Sequence, residues 1–422
     1  MMQQNGTTDR STIGLACAGG VIEGAIYEVG ALCAIDDAVQ GVNLHRLDMY
    51  VGVSSGALIG ALLANGIPAR ALSRAILSEA HDARLNLEPE VLFQPAFGEY
   101  LGRLRQLPRR LLSTLTYYAT NPGDLSLLGL LSTLGTALPS GFFDNAPLEE
   151  FLRRAFDAPG RTNDFRTLDP LLRVVTMHLD TADLTVFGEP GLDDVPISKA
   201  IQASTALPGL YRPVAINERQ YIDGVARRTM HASVALDAGA DLLFCINPIV
   251  PVRLQMEAHA ERLLDEHPTY SLADHGLPSV LSQTFRALVD SRKRTGFKKY
   301  EHTHPDADLL LIEPDPEDAD LFFSNVFSFR NRHDVAERAY QATLRYFRQN
   351  ATDVAPMLHE HGLSLRPDVL YSGTRSLYDA EDEARLRQRL TGRESPSTSD
   401  VLHETGEVLN RLDDVLARLQ QY

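Results

Sequence analysis

The segment Gly52–Gly56 (GVSSG) places a serine at a sharp corner between two regular elements. It overlaps the end of the apolar run Met49–Val53, which is typical of a buried strand, and leads into the small-residue run Ala57–Ala64, which is typical of a packed helix. Glycines on both sides of the corner let the backbone turn without a Cβ clash. The pattern therefore predicts a strand, a one-residue corner and a helix, with the Ser54 hydroxyl projecting from the end of a sheet.

Two interpretations of this corner are open from the pattern alone. Gly-x-Ser-x-Gly is a loose string, and one interpretation is an ordinary strand–helix turn. The other is that Ser54 is the nucleophile of a serine hydrolase, with Gly52 and Gly56 forming the nucleophile elbow. The position between a strand and a helix favours the second interpretation, and other residues of the chain have to support it.

Strands and helices alternate along most of the sequence, which predicts an α/β fold with a mostly parallel central sheet covered by helices on both faces. One antiparallel hairpin is expected where 172–178 meets 184–187. Apolar runs predict strands at 12–16, 49–53, 220–222, 241–246 and 308–312. Helical spacing predicts helices at 25–39, 57–65, 200–207, 280–297 and 334–350.

Two regions depart from this alternation. Residues from about 80 to 140 are rich in Leu, Phe and Tyr and carry a local basic face, which fits either a helical insertion packed on the core or a lipid-facing lid. Beyond residue 376 the chain is densely charged and then shows leucines at helical spacing. We therefore expect one domain over 12–350, with the insertion inside it, and a charged helical C-terminal extension over 351–422.

Composition restricts the class of partner. The 422 residues carry a formal net charge of −16, which disfavours binding to a phosphate backbone and hence to nucleic acid. The three cysteines are widely spaced and form neither a disulfide framework nor a metal-binding pair. The polar N-terminus does not resemble a secretory signal, and no apolar run reaches the length of about 20 residues that a membrane span needs. The expected location is the cytoplasm; oligomeric state is not indicated.

A glycine-rich loop, Ala18–Gly24 (AGGVIEG), follows the first predicted strand and opens a helix. Such a loop can turn consecutive main-chain N–H groups outward at the positive end of a helix, where they bind an anion. The loop lacks the glycine spacing of a dinucleotide-binding motif and the Gly-Lys-Ser/Thr of a P-loop. An oxyanion site for ester cleavage fits it better.

Asp223-Gly224 stands at the end of a predicted strand far from Ser54 along the chain. A serine hydroxyl needs a base to become a good nucleophile, and a buried aspartate can serve because burial raises its basicity. Taken alone, Asp-Gly is most often a simple turn.

Together, these three features resemble the patatin-like phospholipases, serine lipid hydrolases that use a Ser–Asp dyad. The resemblance covers about residues 12–246 and rests on the order of four segments. In chain order they are Gly19–Gly24 (GGVIEG), Gly52–Gly56, Ala203–Val214 (ASTALPGLYRPV) and Asp223–Val225 (DGV).

The resemblance implies a patatin-like three-layer sandwich and an acyl-ester hydrolase. Ser54 would be the nucleophile, Asp223 the base, and the amides around Gly19, Gly20 and Val21 the oxyanion donors, with Gly224 completing the Asp-Gly motif. The implied substrate is a phospholipid, a lysophospholipid or a similar apolar ester, and the dyad requires no metal or other cofactor. The apolar insertion leaves open peripheral contact with a membrane or lipid surface.

Two departures from the family pattern leave alternatives open. Val21 replaces the third loop glycine, and a valine with positive φ is strained. Glu23 replaces a basic residue, so its charge must turn away from the oxyanion or be neutralised. One alternative is a catalytically weak protein of the same fold that binds lipid or a partner. A third interpretation, which does not depend on these departures, is an α/β-hydrolase esterase with a triad whose base is one of the histidines. His231 is the histidine nearest to Asp223 in sequence.

Overall fold

A computed structural model describes residues 10–77, 94–95, 116, 120, 140–228, 230–253, 271–316, 331–373 and 375–378. Nearly all of the predicted insertion at 80–140 and of the charged tail after residue 376 lies outside the described residues, so those two predictions are untested.

The core is a mixed β-sheet built from eight strands among the described residues. They are β1 (Ile13–Cys17), β3 (Met49–Val53), β6 (Leu171–His178), β7 (Leu184–Phe187), β9 (Val214–Ile216), β10 (Arg219–Asp223), β11 (Leu242–Ile246) and β12 (Asp308–Ile312). Their order across the sheet is β12-β11-β1-β3-β6-β10-β9, and β7 pairs with β6. The five strands from β12 to β6 run parallel, whereas β7, β9 and β10 join by antiparallel pairing. Short pairings outside it use β2 (Val39–Gln40), β4 (Gln94–Pro95), β5 (Gly141–Asp144), β8 (Gly209–Tyr211) and β13 (Ser364–Leu365).

Helices pack around this sheet, which confirms the predicted α/β class with a mostly parallel sheet. They are α1 (Val21–Ala38), α2 (Ser55–Ala64), α3 (Ala69–Leu77), α4 (Ala146–Phe156), α5 (Ile197–Ser204), α6 (Ala232–Asp237), α7 (Gly276–Thr303), α8 (Arg332–Gln349), α9 (Ala351–Glu360) and α10 (Pro367–Leu370). Helix α1 begins four residues before its predicted start, because Gly24 in its first turn hides the helical pattern. None of the described helices combines the length and apolarity needed to cross a bilayer.

The parallel register of β1 and β3 determines where the predicted site forms. Cys17, at the end of β1, is paired with Gly52, near the end of β3. Both strands point the same way, so the glycine loop after β1 and the serine corner after β3 emerge side by side at the carboxyl edge. Asp223 reaches the same edge from the antiparallel strand β10, opposite Thr176.

The chain divides into two compact units, residues 1–375 and 376–422. Within the first unit, α9 and α10 follow α8, and β13 pairs with β2 in an antiparallel ribbon. The predicted extension beginning at residue 351 stays a prediction.

Helix α1 contains a carboxyl group that is fully buried. Glu28 is fully inaccessible to solvent, and neither of its side-chain oxygens has a hydrogen-bond partner in the described part of the chain. Burial raises the pKa of Glu28 well above its ordinary value. The folded protein therefore binds a proton at Glu28 that the unfolded chain releases above about pH 4.3, and the free energy of unfolding falls as pH rises beyond that value.

We expect Glu28→Gln to remove this pH dependence. The variant should melt at a higher temperature than the wild type at pH 8, by about 2 °C or more, with a smaller difference at pH 5. Thermal unfolding followed by circular dichroism at both pH values measures the effect. Glu360→Gln, at an exposed carboxylate of α9, is the control and should leave the pH dependence of the melting temperature unchanged. A pH-independent difference for Glu28→Gln would contradict the prediction.

Candidate active site

The serine corner has the backbone geometry of a strained turn. Ser54 lies between β3 and α2 with φ 55° and ψ −124°, a conformation that costs a residue other than glycine about 1–3 kcal/mol. A Cβ on Gly52 would lie 2.4 Å from the Gly56 carbonyl oxygen, and a Cβ on Gly56 would lie 2.4 Å from that of Cys17. Close backbone approach therefore requires both glycines.

A second serine fixes the backbone of the corner. The N–H of Ser54 donates to Ser204 Oγ over 2.9 Å, and the Ser204 hydroxyl donates to the Val175 carbonyl oxygen over 2.7 Å. Ser204 is fully buried at the end of α5. Its segment is part of the family resemblance, but nothing in the sequence assigned this residue a role.

Asp223 is fully buried at the end of β10. Its Oδ1 accepts a hydrogen bond of 2.9 Å from the Val225 amide, whereas its Oδ2 has no hydrogen-bond partner among the described residues. Burial raises the pKa of Asp223 to about 7, against smaller lowering contributions from the Val225 amide and the Ser54 hydroxyl. One carboxylate oxygen is thus left to accept a proton.

Ser54 and Asp223 are neighbours, although no formed hydrogen bond joins their side chains. The Ser54 hydroxyl is near enough to lower the pKa of the Asp223 carboxyl. Gly224 packs against the serine corner, since a Cβ there would lie 2.9 Å from a methyl group of Val53. In enzymes without substrate such hydrogen bonds are often long and tighten when substrate binds.

The glycine loop presents amides beside Ser54. A Cβ on Gly19 would lie 3.0 Å from the Ser54 Cβ, so loop and serine are in contact. In the described part of the chain, the N–H groups of Gly19, Gly20 and Val21 donate to no protein acceptor. Val21 has φ 57°, so this valine takes the strained backbone conformation that usually requires glycine. The three amides lie at the N-terminus of α1, where the helix dipole favours an anion.

Glu23 lies in a cavity that also contains a cationic side chain. Arg286 of α7 lines the same cavity, of about 230 Å³, together with Gly20 and Val21. Burial lowers the pKa of Arg286, and the negative charge of Glu23 acts in the opposite direction. The carboxylate thus has a positive charge close to it, which offsets its repulsion of an oxyanion at the loop.

A separate, mostly apolar cavity opens at Ser54. It shares Val21 and Leu207 with the cavity around Glu23, so the two meet beside the loop. Its apolar lining comes from α1, α2, α3, α4 and the segment after α5, and includes Ile22, Ile26, Leu58, Ile76, Leu148, Leu210 and Tyr211. The segment Ala203–Val214 thus contributes to the cavity wall.

In the described part of the chain, no histidine forms a hydrogen bond with the Ser54 side chain. His231, the candidate nearest Asp223 in sequence, is buried at the N-terminus of α6. Burial lowers the pKa of His231 to about 4, and the charges of Arg228 and Arg227 act in the same direction. Hydrogen bonds to main-chain groups raise the pKa by a smaller amount. No group of three or more potential metal ligands occurs among the residues described.

A sequence profile of the family described as patatin-like phospholipase matches residues 15–236, more than half of the chain. This match confirms the resemblance drawn from the motifs. No protein of curated function matches the sequence.

Several solved structures are similar at low identity. VipD from Legionella pneumophila is 15% identical with a TM-score of 0.37, over 81% of this chain and 67% of VipD. The type III effector ExoU of Pseudomonas aeruginosa is 17% identical with a TM-score of 0.33, over 98% of this chain and 65% of the other. Human GIVD cytosolic phospholipase A2 is 12% identical with a TM-score of 0.33, over 88% and 60%. The chain spans about two thirds or less of these proteins.

Proposed function

The chain belongs to the patatin-like phospholipase family, and from that premise we propose that it hydrolyses lipid acyl esters with Ser54 as nucleophile and Asp223 as base. The observation that carries the proposal is the convergence at one sheet edge of a strained serine, a buried carboxylate and loop amides. Among the described residues, one oxygen of the carboxylate and the loop amides have no hydrogen-bond partner.

In the first step, Ser54 Oγ attacks the ester carbonyl carbon while Asp223 Oδ2 takes the hydroxyl proton. The carbonyl oxygen becomes an oxyanion, and the amides of Gly19, Gly20 and Val21 are positioned to donate to it. A base whose pKa lies near 7 is suited to this task, because about half of it is ionised at neutral pH and the ionised form accepts a proton readily.

In the second step, the tetrahedral intermediate collapses and the ester C–O bond breaks. Asp223 returns the proton to the departing alcohol oxygen, and the acyl group stays on Ser54. Water then attacks the acyl-enzyme, Asp223 takes one water proton, and collapse releases a fatty acid. The proton passes back to Ser54 Oγ, so the dyad is restored and no metal is required.

The cavity at Ser54 supports the proposed class of substrate. Its lining is mostly apolar, which suits an acyl chain and leaves little for a polar chain to bind. The adjoining cavity, lined by Glu23 and Arg286, is placed to receive the leaving-group side of the ester. We therefore propose a phospholipid, a lysophospholipid or another apolar ester as substrate.

Labelling with a long-chain alkyl fluorophosphonate tests the nucleophile. We expect one adduct per chain, found by mass spectrometry on the peptide that contains Ser54, because the probe phosphonylates an activated serine. Ser54→Ala should lose the adduct. Ser55→Ala is the matched variant, since it removes the neighbouring hydroxyl of the same motif, and it should still carry the adduct. Absence of a Ser54-dependent adduct would instead favour the lipid- or partner-binding alternative.

A further inference from the structure

One face of α7 exposes large apolar side chains to solvent. Leu277, Leu281 and Leu288 are 69%, 58% and 60% exposed and follow intervals of four and seven residues, so they share a helix face. Val280, also exposed, lies beside them. We call these four residues the apolar ridge. A contiguous exposed strip of this kind marks a site of contact with another apolar phase.

The same helix face continues as a basic surface. The intervals of four and seven that join the leucines lead on to Arg292 and Lys299, which are exposed. Helix α7 contains six lysines and arginines but only two acidic residues, Asp290 and Glu301, in a chain whose net charge is −16. Its positive charge is therefore a local departure from the rest of the protein.

A second segment extends this basic surface. Arg227 and Arg228 are exposed and line one cavity with Lys299, while Arg292 Nη1 donates to the Arg227 carbonyl oxygen over 3.1 Å. We call Arg227, Arg228, Lys298 and Lys299 the basic cluster. Asp237 lines the same cavity and is paired with His304. In the described part of the chain, no member of the basic cluster forms an ion pair.

Helix α7 and the segment that carries Arg227 both lead to residues of the proposed catalytic site. Arg227 follows Val225, whose amide binds Asp223, by two residues. From α7, Phe285 and Arg286 line the cavity that reaches Gly20 and Val21. A surface bound against this side of the molecule would therefore lie next to the entrance of the site.

We propose that the apolar ridge and the basic cluster together dock the protein on the surface of an anionic phospholipid bilayer. The ridge enters the boundary between head groups and acyl chains, while the basic cluster contacts the anionic head groups. The combination of an apolar strip on α7 with basic side chains on α7 and on the adjoining segment 227–228 matches both parts of such a surface. Docking would bring the proposed active site to its lipid substrate, so the purpose of docking rests on the proposed function. The docking itself does not depend on catalysis.

Vesicle co-sedimentation of the full chain tests this proposal. The protein carries Ser54→Ala throughout, so that the vesicles are not hydrolysed and failure of the proposed function does not affect the binding measurement. We expect strong binding to phosphatidylcholine vesicles that contain about one third phosphatidylglycerol, and much weaker binding to pure phosphatidylcholine. Binding should weaken as salt is raised, because salt screens exposed charges.

Two double variants separate the two parts of the surface. Arg228→Gln/Lys299→Gln should weaken binding to the anionic vesicles roughly tenfold or more, since each charge near an anionic surface contributes about a fivefold factor. Leu281→Ser/Leu288→Ser should weaken it by at least about tenfold through lost insertion of apolar surface. In the Ser54 background, both should hydrolyse a soluble short-chain ester at the wild-type rate.

Matched controls remove two charges, or one large exposed side chain, elsewhere on the protein. Arg10→Gln/Arg46→Gln removes two exposed charges near the amino ends of β1 and β3, at the opposite edge of the sheet, and Tyr371→Ser removes an exposed ring. Both should keep vesicle binding within twofold of the parent. The proposal is overturned if the parent does not bind anionic vesicles, if it binds neutral vesicles equally well, or if the surface variants bind like the controls.

Discussion

Asp223→Asn should lower kcat on a short-chain ester by about 1,000-fold or more, while the protein stays folded. Asparagine keeps the size of the side chain and the oxygen that accepts from the Val225 amide, but it cannot take the Ser54 proton. In the wild type, kcat/KM should rise with pH through about 7, where the Asp223 carboxyl ionises. Steady-state kinetics between pH 5 and 9 would measure both effects.

Although Asp223→Asn lowers activity, it should raise the stability of the folded protein above pH 7. Because the pKa of Asp223 is about 7 in the folded protein and about 3.9 in an unfolded chain, the folded state binds the proton more tightly. The contribution of this group to stability is therefore present at low pH and is lost as pH rises between those two values. Above pH 7, Asp223→Asn avoids that loss and should melt at a higher temperature than the wild type. A variant with lower activity and higher stability would indicate that the Asp223 carboxylate serves catalysis at a cost to the stability of the fold.

His231 provides the comparison that separates a dyad from a triad. Its ring is buried at the start of α6, so His231→Ala should lower stability but retain ester hydrolysis under conditions where the variant is folded. Loss of hydrolysis in His231→Ala, together with retention in Asp223→Asn, would overturn the assignment of Asp223 as the base and support the triad alternative.

The parts of the fold and site that were predictable from sequence are those in which short-range pattern and backbone geometry agree. The run Met49–Val53 is a strand with those bounds. Strand–corner–helix order also placed Ser54, because small residues and glycines at fixed spacing permit only a tight turn there.

The remaining parts depend on contacts between residues far apart in sequence. Ser204 accepts a hydrogen bond from the Ser54 amide, although it lies 150 positions away in the sequence. Arg286 of α7 interacts electrostatically with Glu23. Neither relation leaves a local pattern that sequence reasoning could use. The exposure of Leu277, Leu281 and Leu288 was equally hidden, because an apolar helix face looks the same in sequence whether it meets the core or the solvent.

Gly56→Ala should destabilise the protein by about 3 kcal/mol or more, or prevent it from folding. The new methyl carbon would lie 2.4 Å from the Cys17 carbonyl oxygen, 2.5 Å from the Cys17 carbonyl carbon and 2.7 Å from the Ala18 carbonyl oxygen. All three are main-chain atoms, so a rotamer change cannot relieve the clash. The start of α2 would have to move away from the end of β1, and Ser54 would lose its place beside the loop. Urea unfolding measures the free energy, and short-chain ester hydrolysis reports the site.

Gly60→Ala, one turn along the same helix, is the matched control. A Cβ at Gly60 meets only the Tyr50 Cβ, at an ordinary 3.7 Å. Alanine is favoured over glycine within a helix, so this variant should gain about 0.5–1 kcal/mol of stability and hydrolyse the ester normally. A loss of stability for Gly56→Ala and a gain for Gly60→Ala would distinguish the effect of close backbone approach from the effect of helix propensity. If Gly56→Ala were as stable as Gly60→Ala, the tight contact between the serine corner and β1 would not be what fixes Ser54 beside the loop amides.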